Sequence, residues 1–118
     1  MTIATYLIVE PNQIVATDLA LSVQDCDAAG RVIVAATAAD ALVVLRYAAS
    51  VRFAFIHANP GGFDQSDLGV ALGARGAVCV FMGGAADRAK KAMIVLDRPF
   101  SPGTIAALMH SLAQSDAA

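Results

Sequence analysis

Long apolar runs, cysteine pairs and charge are all scarce in this chain of 118 residues. No apolar run reaches the roughly 18 residues of a membrane span. The N-terminus has neither the basic flank nor the long apolar stretch of a secretory signal. A cytoplasmic protein without membrane contact is therefore expected. Cys26 and Cys79 are the only cysteines, lie far apart, and have no cysteine or histidine near them at metal-ligand spacing. That excludes a disulfide framework and a zinc site, and leaves two reduced thiols packed as small hydrophobes. Only 15% of residues are charged and the formal net charge is -2, so there is no basic footprint for nucleic acid. Arg88, Lys90 and Lys91 form the one cationic cluster, which reads as a solvated face. Gly61-Gly62 and Gly83-Gly84 make neither a G-x-G-x-x-G nor a P-loop. A nucleotide or flavin binder is thereby the weakest of the functional readings, and no cofactor is expected. No internal repeat, linker or low-complexity segment divides residues 1–118, which are too few for two domains that each bury a core.

What is present is apolar residue in short blocks: 58% of the chain is hydrophobic and its mean hydropathy is +0.64. Such a composition excludes disorder and favours a sheet covered on both faces. Ile3 to Val9 is a β-branched segment suited to a central strand, and Glu10-Pro11-Asn12 ends it. Pro11 can stand in the first turn of a helix whose inner residues Val15, Leu19, Val23 and Cys26 recur at helical spacing. Arg31 to Ala36 supplies a second strand. Thr37 and Asp40 then have the spacing of a capping box, ahead of an inner stripe of Ala41, Leu42 and Leu45.

Phe53 to His57 reads as a buried parallel strand that opens onto the Asn-Pro-Gly-Gly turn at 59–62. Asp64 is expected to cap the next helix, whose Leu68 and Leu72 are four apart and whose Gly73 and Gly76 weaken it. Ala77 to Met82 gives a fourth strand, Ala85 to Lys91 a short helix, and Met93 to Leu96 a fifth strand. Ser101 and Pro102 open a last helix striped by Ile105, Leu108, Met109 and Leu112. Five strands alternating with five helices imply a doubly wound parallel sheet with right-handed crossovers.

Four segments stand in one order: Tyr-Leu-Ile-Val-Glu at 6–10, His-Ala-Asn-Pro-Gly-Gly at 57–62, Val-Phe-Met-Gly-Gly at 80–84 and Arg-Pro-Phe at 98–100. In that order and spacing the chain resembles, over nearly its whole length, the receiver domain of bacterial two-component response regulators. The resemblance implies an α/β, flavodoxin-like fold, a five-stranded parallel sheet of order 2-1-3-4-5 with helices on both faces. It also implies a phosphoacceptor pocket at the carboxyl ends of the strands, where ligands of open α/β sheets bind.

Most of that pocket departs from the family pattern. The family's magnesium-holding acidic pair aligns with Glu10 and Pro11, its acceptor aspartate with His57, its threonine or serine with Met82, its lysine with Arg98 and its aromatic switch residue with Val95. Only Glu10 keeps the family's chemistry. Magnesium requires hard oxygen ligands, so exchanging carboxylates for a proline and an imidazole removes both charge and donors. Arg98 is expected to pair with Glu10 or Asp97, although it could bind an oxyanion bidentately. The family's cis peptide before proline maps to Arg98-Pro99. His57 reads first as a structural imidazole bonded to Glu10 or to a backbone carbonyl. Its rivals are a metal ligand or acceptor, for which His110 offers no convergent partner, and a shifted alignment with Asp64 as displaced acceptor.

The favoured function is a degenerate receiver, a non-enzymatic protein interaction module whose output does not depend on aspartyl phosphorylation. The resemblance implies a protein partner, a histidine kinase, another regulator or an output protein, and a possible homodimer through the last two helices. The chain closes soon after its fifth helix, so the partner is expected in trans. A working phosphoacceptor using Asp64 is the alternative of a different class.

Overall fold

The structure is a computed structural model and describes residues 3–57, 63–82, 94–96 and 105–110; at 94–96 and at Asp64 it describes the backbone alone. Parallel strands β1 (Thr5–Val9), β2 (Arg31–Ala35), β3 (Phe53–Ile56) and β4 (Val78–Met82) stand in the order β2-β1-β3-β4. The three-residue β5 (Ile94–Leu96) pairs along the outer edge of β4, with Val95 in register with Phe81.

Side chains alternate across this sheet with period two, and each face has its own core. Tyr6, Ile8, Phe53, Phe55, Val80 and Met82 point to one side, where α1 (Gln13–Cys26) and the helix at 105–110 cover them. Leu7, Val9, Ala54, Ile56 and Phe81 point to the other, beneath α2 (Ala38–Leu45) and α3 (Asp67–Ala74). Phe53, Phe55, Leu7, Ile8 and Ile56 are all but fully enclosed. Burying each such side chain is worth about 1.5–3 kcal/mol, so the two central strands carry much of the fold's stability.

The helix starts follow from capping side chains. Asn12 Oδ1 accepts from the amides of Ile14 and Val15, at 3.0 and 3.3 Å. Asn12 is thus the N-cap of α1, and Pro11 precedes the helix instead of standing in its first turn. This cap fixes which face turns inward: Ala16, Leu19 and Val23 are buried, Val15 is only half-buried, and Cys26 is exposed instead of packed. Ser22, buried on the same face, donates its hydroxyl to the Asp18 carbonyl at 3.0 Å. Thr37 caps α2 by accepting from the Asp40 amide at 3.1 Å; among the described residues only this half of the expected box forms.

The cap of α3 is Ser66, whose hydroxyl accepts from the Gly69 amide at 3.1 Å. Asp64 lies in the preceding 3-10 turn, η1 (Phe63–Gln65), two residues ahead of the cap position. Ser66 has extended backbone angles and stands one residue before the helix, as a cap requires. At the other end, Arg75 follows α3 and Gly76 takes a positive φ of 73°. The Arg75 guanidinium donates to the carbonyls of Leu45 and Ala48, so it satisfies the last turn of α2 from a different element. Among the described residues no helix is long and apolar enough to cross a membrane.

Candidate functional site

The parallel ladders run one residue past the ends of β1 and β3, and this brings Glu10 and His57 together. The Glu10 amide donates to the Ala35 carbonyl at 3.0 Å, and the His57 amide donates to the Val9 carbonyl at 2.8 Å. Their side chains meet at the carboxyl edge of the sheet, with His57 Nδ1 at 3.2 Å from Glu10 Oε1. The other carboxylate oxygen, Oε2, accepts from the Asn12 amide at 3.3 Å. Glu10 is therefore gripped from two sides, and its side chain is 1% exposed against 37% for His57. A carboxylate this buried requires such donors, because an unpartnered buried charge is costly. The contact is an ion pair when the imidazole is protonated and a hydrogen bond when it is neutral.

Met82 ends β4 at the edge of this crevice, but its side chain is fully buried in the core formed with Ile8, Phe55 and Ile105. A thioether donates no hydrogen bond, so this position supplies packing and no stabilisation of a transferring phosphoryl group. Pro11 is exposed and offers no ligand where the family pattern has an acid. Phe63, on η1, packs edge-on to Phe81 with ring centroids 5.1 Å apart and anchors the 3-10 turn that carries Asp64. Val95 lies on β5 with only its backbone described; Arg98, the Arg98-Pro99 peptide bond and the loop after His57 lie outside the described residues.

Magnesium fits this donor set poorly. One carboxylate is already committed to an imidazole and an amide, and among the described residues no three His, Cys, Asp or Glu side chains group as a metal site. Cys79, on β4, is half-buried, and burial pushes its thiol up to about 11 from an ordinary value of 9.0. It stays a protonated packing residue at neutral pH.

Sequence reading missed a second group of polar side chains at the opposite, amino-terminal edge of the sheet: Tyr6, Asp27 and Arg52. The Tyr6 hydroxyl donates to Asp27 Oδ2 at 2.6 Å. Burial above all, and then the Asp27 carboxylate, hold the Tyr6 phenol well above its ordinary range. The one cavity described lies at this edge and not at the Glu10–His57 crevice. The only sequence signal was a tyrosine at a position that points into the core, since a buried phenol needs a partner.

No family model matches the chain, and no curated protein does. Solved structures do. The chemotaxis response regulator CheY4 of Vibrio cholerae superposes with a TM-score of 0.69 at 17% identity, over 94% of this chain and 99% of that one. SdrG from Sphingomonas melonis gives 0.71 at 26% identity, over 96% and 99%. A response regulator receiver domain protein from Bacillus halodurans gives 0.66 at 12%, over 94% and 97%. The chain has the α/β fold of response-regulator receiver domains, over 94–96% of its length.

Proposed function

We propose that this chain is a receiver-type protein interaction module in two-component signalling whose output does not depend on aspartyl phosphorylation. One observation carries the reading: at the place of the acceptor aspartate stands His57, with its ring nitrogen 3.2 Å from the only acid of the crevice among the described residues, Glu10. The contact joins the ends of β1 and β3 in the way a shared cation would, without a cation. Phosphoryl transfer relies on positioning and on charge neutralisation of the transferring oxygens. Here a nucleophilic carboxylate, one magnesium ligand and a hydroxyl donor are replaced by His57, Pro11 and the buried Met82. Removing a single preorganised donor typically costs about 2.7–4 kcal/mol of barrier, so the combined losses abolish useful transfer. Arg98 stands where the family has lysine, and we assign it to structural pairing with an acid. The module itself catalyses nothing, and its partner is a histidine kinase, another regulator or an output protein. The module can also self-associate through its last two helices, and a strict monomer in sedimentation at high concentration would count against that.

The test incubates the protein with acetyl phosphate and magnesium, or with beryllofluoride, and follows intact mass and amide chemical shifts. Neither an adduct nor a magnesium-dependent shift at Glu10 or His57 is expected, and His57→Asp alone does not restore transfer because Pro11 and Met82 remain. A hydroxylamine-sensitive phosphoryl adduct would overturn the reading and move the acceptor to Asp64. An acid-labile, base-stable adduct would overturn it too, and place the phosphoryl group on His57.

A further inference from the structure

The outer face of α2 presents apolar side chains to solvent. Ala41 and Leu45 are buried against the sheet, so Val43, about half a turn from both, points outward and is 55% exposed. After Leu45 the chain tightens: the Tyr47 amide donates to the Val44 carbonyl and the Ala48 amide to the Leu45 carbonyl, each at 3.1 Å. Arg46 therefore continues the helix in αR conformation as its C-cap, and Tyr47 follows it, 78% exposed. α3 packs alongside α2, and its Val70, between the buried Leu68 and Leu72, also points outward and is 59% exposed.

Charge along this helix is ordered end to end. Asp40 lies in the first turn and Arg46 at the C-cap, and both are exposed. Among the described residues neither side chain makes a hydrogen bond or an ion pair. Six residues, or about 9 Å of helix rise, keep them from pairing with each other. The order is symmetric about Val43: Asp40 stands three residues before it and Arg46 three after, Ala39 four before and Tyr47 four after. When two copies of such a helix lie antiparallel with a two-fold axis at Val43, each Asp40 faces the other copy's Arg46, each Tyr47 faces a small Ala39, and the two Val43 side chains meet. The outer face of α1 lacks this property. Ile14 and Leu21 are exposed there too, but the only charged residues of that helix are Asp18 and Asp25, which would repel their own copies.

We infer that α2 is a self-association surface on which a second copy of this chain docks antiparallel about Val43, with reciprocal Asp40–Arg46 pairs on either side of the axis. The charges fix the register and the apolar side chains supply burial, the division of roles usual at interfaces. An eight-residue helix, even widened by Val70, is smaller than the roughly 800 Å² per partner of a standard interface, so the association is weak and shows at high concentration. α2 covers the face of the sheet opposite to the one under the helix at 105–110, so this contact and one through the last two helices use different surfaces and can be broken separately. The inference stands whether or not His57 is ever phosphorylated.

The experiment measures sedimentation equilibrium of wild type, of Arg46→Glu and of Asp40→Arg, each checked for folding by thermal unfolding, and then of the two variants mixed in equal amounts. Wild type should self-associate reversibly at high concentration. Each variant, with two repulsive pairs in place of two attractive ones, should bind its own copy at least fivefold more weakly. The mixture should regain the wild-type affinity, because every acid of one variant then faces a base of the other, a rescue that a misfolded variant could not give. In a Cys26→Ser background, Val43→Cys should form a disulfide-linked dimer under mild oxidation at least fivefold faster than Gln24→Cys, which places a thiol on the exposed face of α1. A wild type that stays monomeric, association unchanged in both variants as contact through the last two helices alone would give, a mixture no stronger than its parts, or cross-linking at position 24 as fast as at 43 would each overturn the assignment.

Discussion

At each edge of the sheet a carboxylate meets a side-chain donor, and the two donors differ in kind. At the carboxyl edge the donor to Glu10 is the imidazole of His57, which is partly exposed and changes its charge with its protonation. At the amino edge the donor to Asp27 is the phenol of Tyr6, buried and held in its protonated form far above neutral pH. The first pair lies at the end of the sheet where ligands of open α/β folds bind. The second, with Gly30 beside it and Arg52 across from it, keeps a space open. A carboxylate held by a side chain therefore recurs at both edges, one beside a partly exposed imidazole and the other beside a buried phenol.

Four perturbations sharpen or break this comparison. The largest effect belongs to Gly30→Ala, where a Cβ must displace a core ring 3% exposed together with the carboxylate bound to it. Overpacking alone costs about 1–3 kcal/mol, and displacing both partners adds the loss of the Tyr6–Asp27 bond, about 1.5–3 kcal/mol, read as a lower denaturant midpoint; Gly73→Ala, with no heavy atom within 4 Å of its added Cβ, is the matched control and should hold or gain stability. Tyr6→Phe comes next. It removes a hydrogen bond to a charged acceptor, worth about 1.5–3 kcal/mol, and urea unfolding at neutral pH should show that loss.

The third perturbation is alkaline pH. An unfolded tyrosine loses its proton near 10, while folded Tyr6 keeps it. Above that pH the unfolded state binds fewer protons than the folded state, so stability falls as pH rises. The contribution is fully present below about pH 10. The raised Cys79 thiol acts with the same sign, with stability lost as pH climbs from 9.0 to about 11. Unfolding midpoints measured from pH 8 upward should decline, less steeply in Tyr6→Phe and in Cys79→Val; a wild-type profile that rises would contradict both shifts. The smallest effect is that of His57→Ala. The imidazole is partly exposed, so water takes its place at the buried Glu10 carboxylate and the cost should be about 1 kcal/mol, the low end for a buried acceptor that loses a partner; a larger loss would mean that Glu10 stays out of reach of water.

Much of the scaffold was legible because its determinants are local. The apolar blocks at β1, β3 and β4 and the Thr37 cap depend on neighbours within a few residues, and the structure has them within a residue or two of the expected bounds. The errors have local causes as well. Residue type points to Pro11 and Asp64 as helix starts and a spacing counted from Val15 turns Cys26 inward, whereas Asn12 and Ser66, with extended backbones, make the caps, and the register that Asn12 sets leaves Cys26 outside the buried stripe. The crevice was legible only through its likeness to receivers, which aligned Glu10 with His57. Nothing in the spacing of Tyr6 and Asp27, or of Leu45 and Arg75, marked them as partners, for they are 21 and 30 residues apart.

By itself the sequence determined the alternation of strands and helices and the two-faced burial of the sheet. Period-two and period-3.6 patterns and side-chain chemistry are properties of the chain before it folds. The tertiary structure alone decided that His57 meets Glu10 side chain to side chain, that Arg75 caps a helix it does not belong to, and that Asp27 and Arg52 face one cavity without touching. Those outcomes depend on strand register and on crossover packing, which bring distant residues within a few ångströms, and no local preference of the chain encodes such distances.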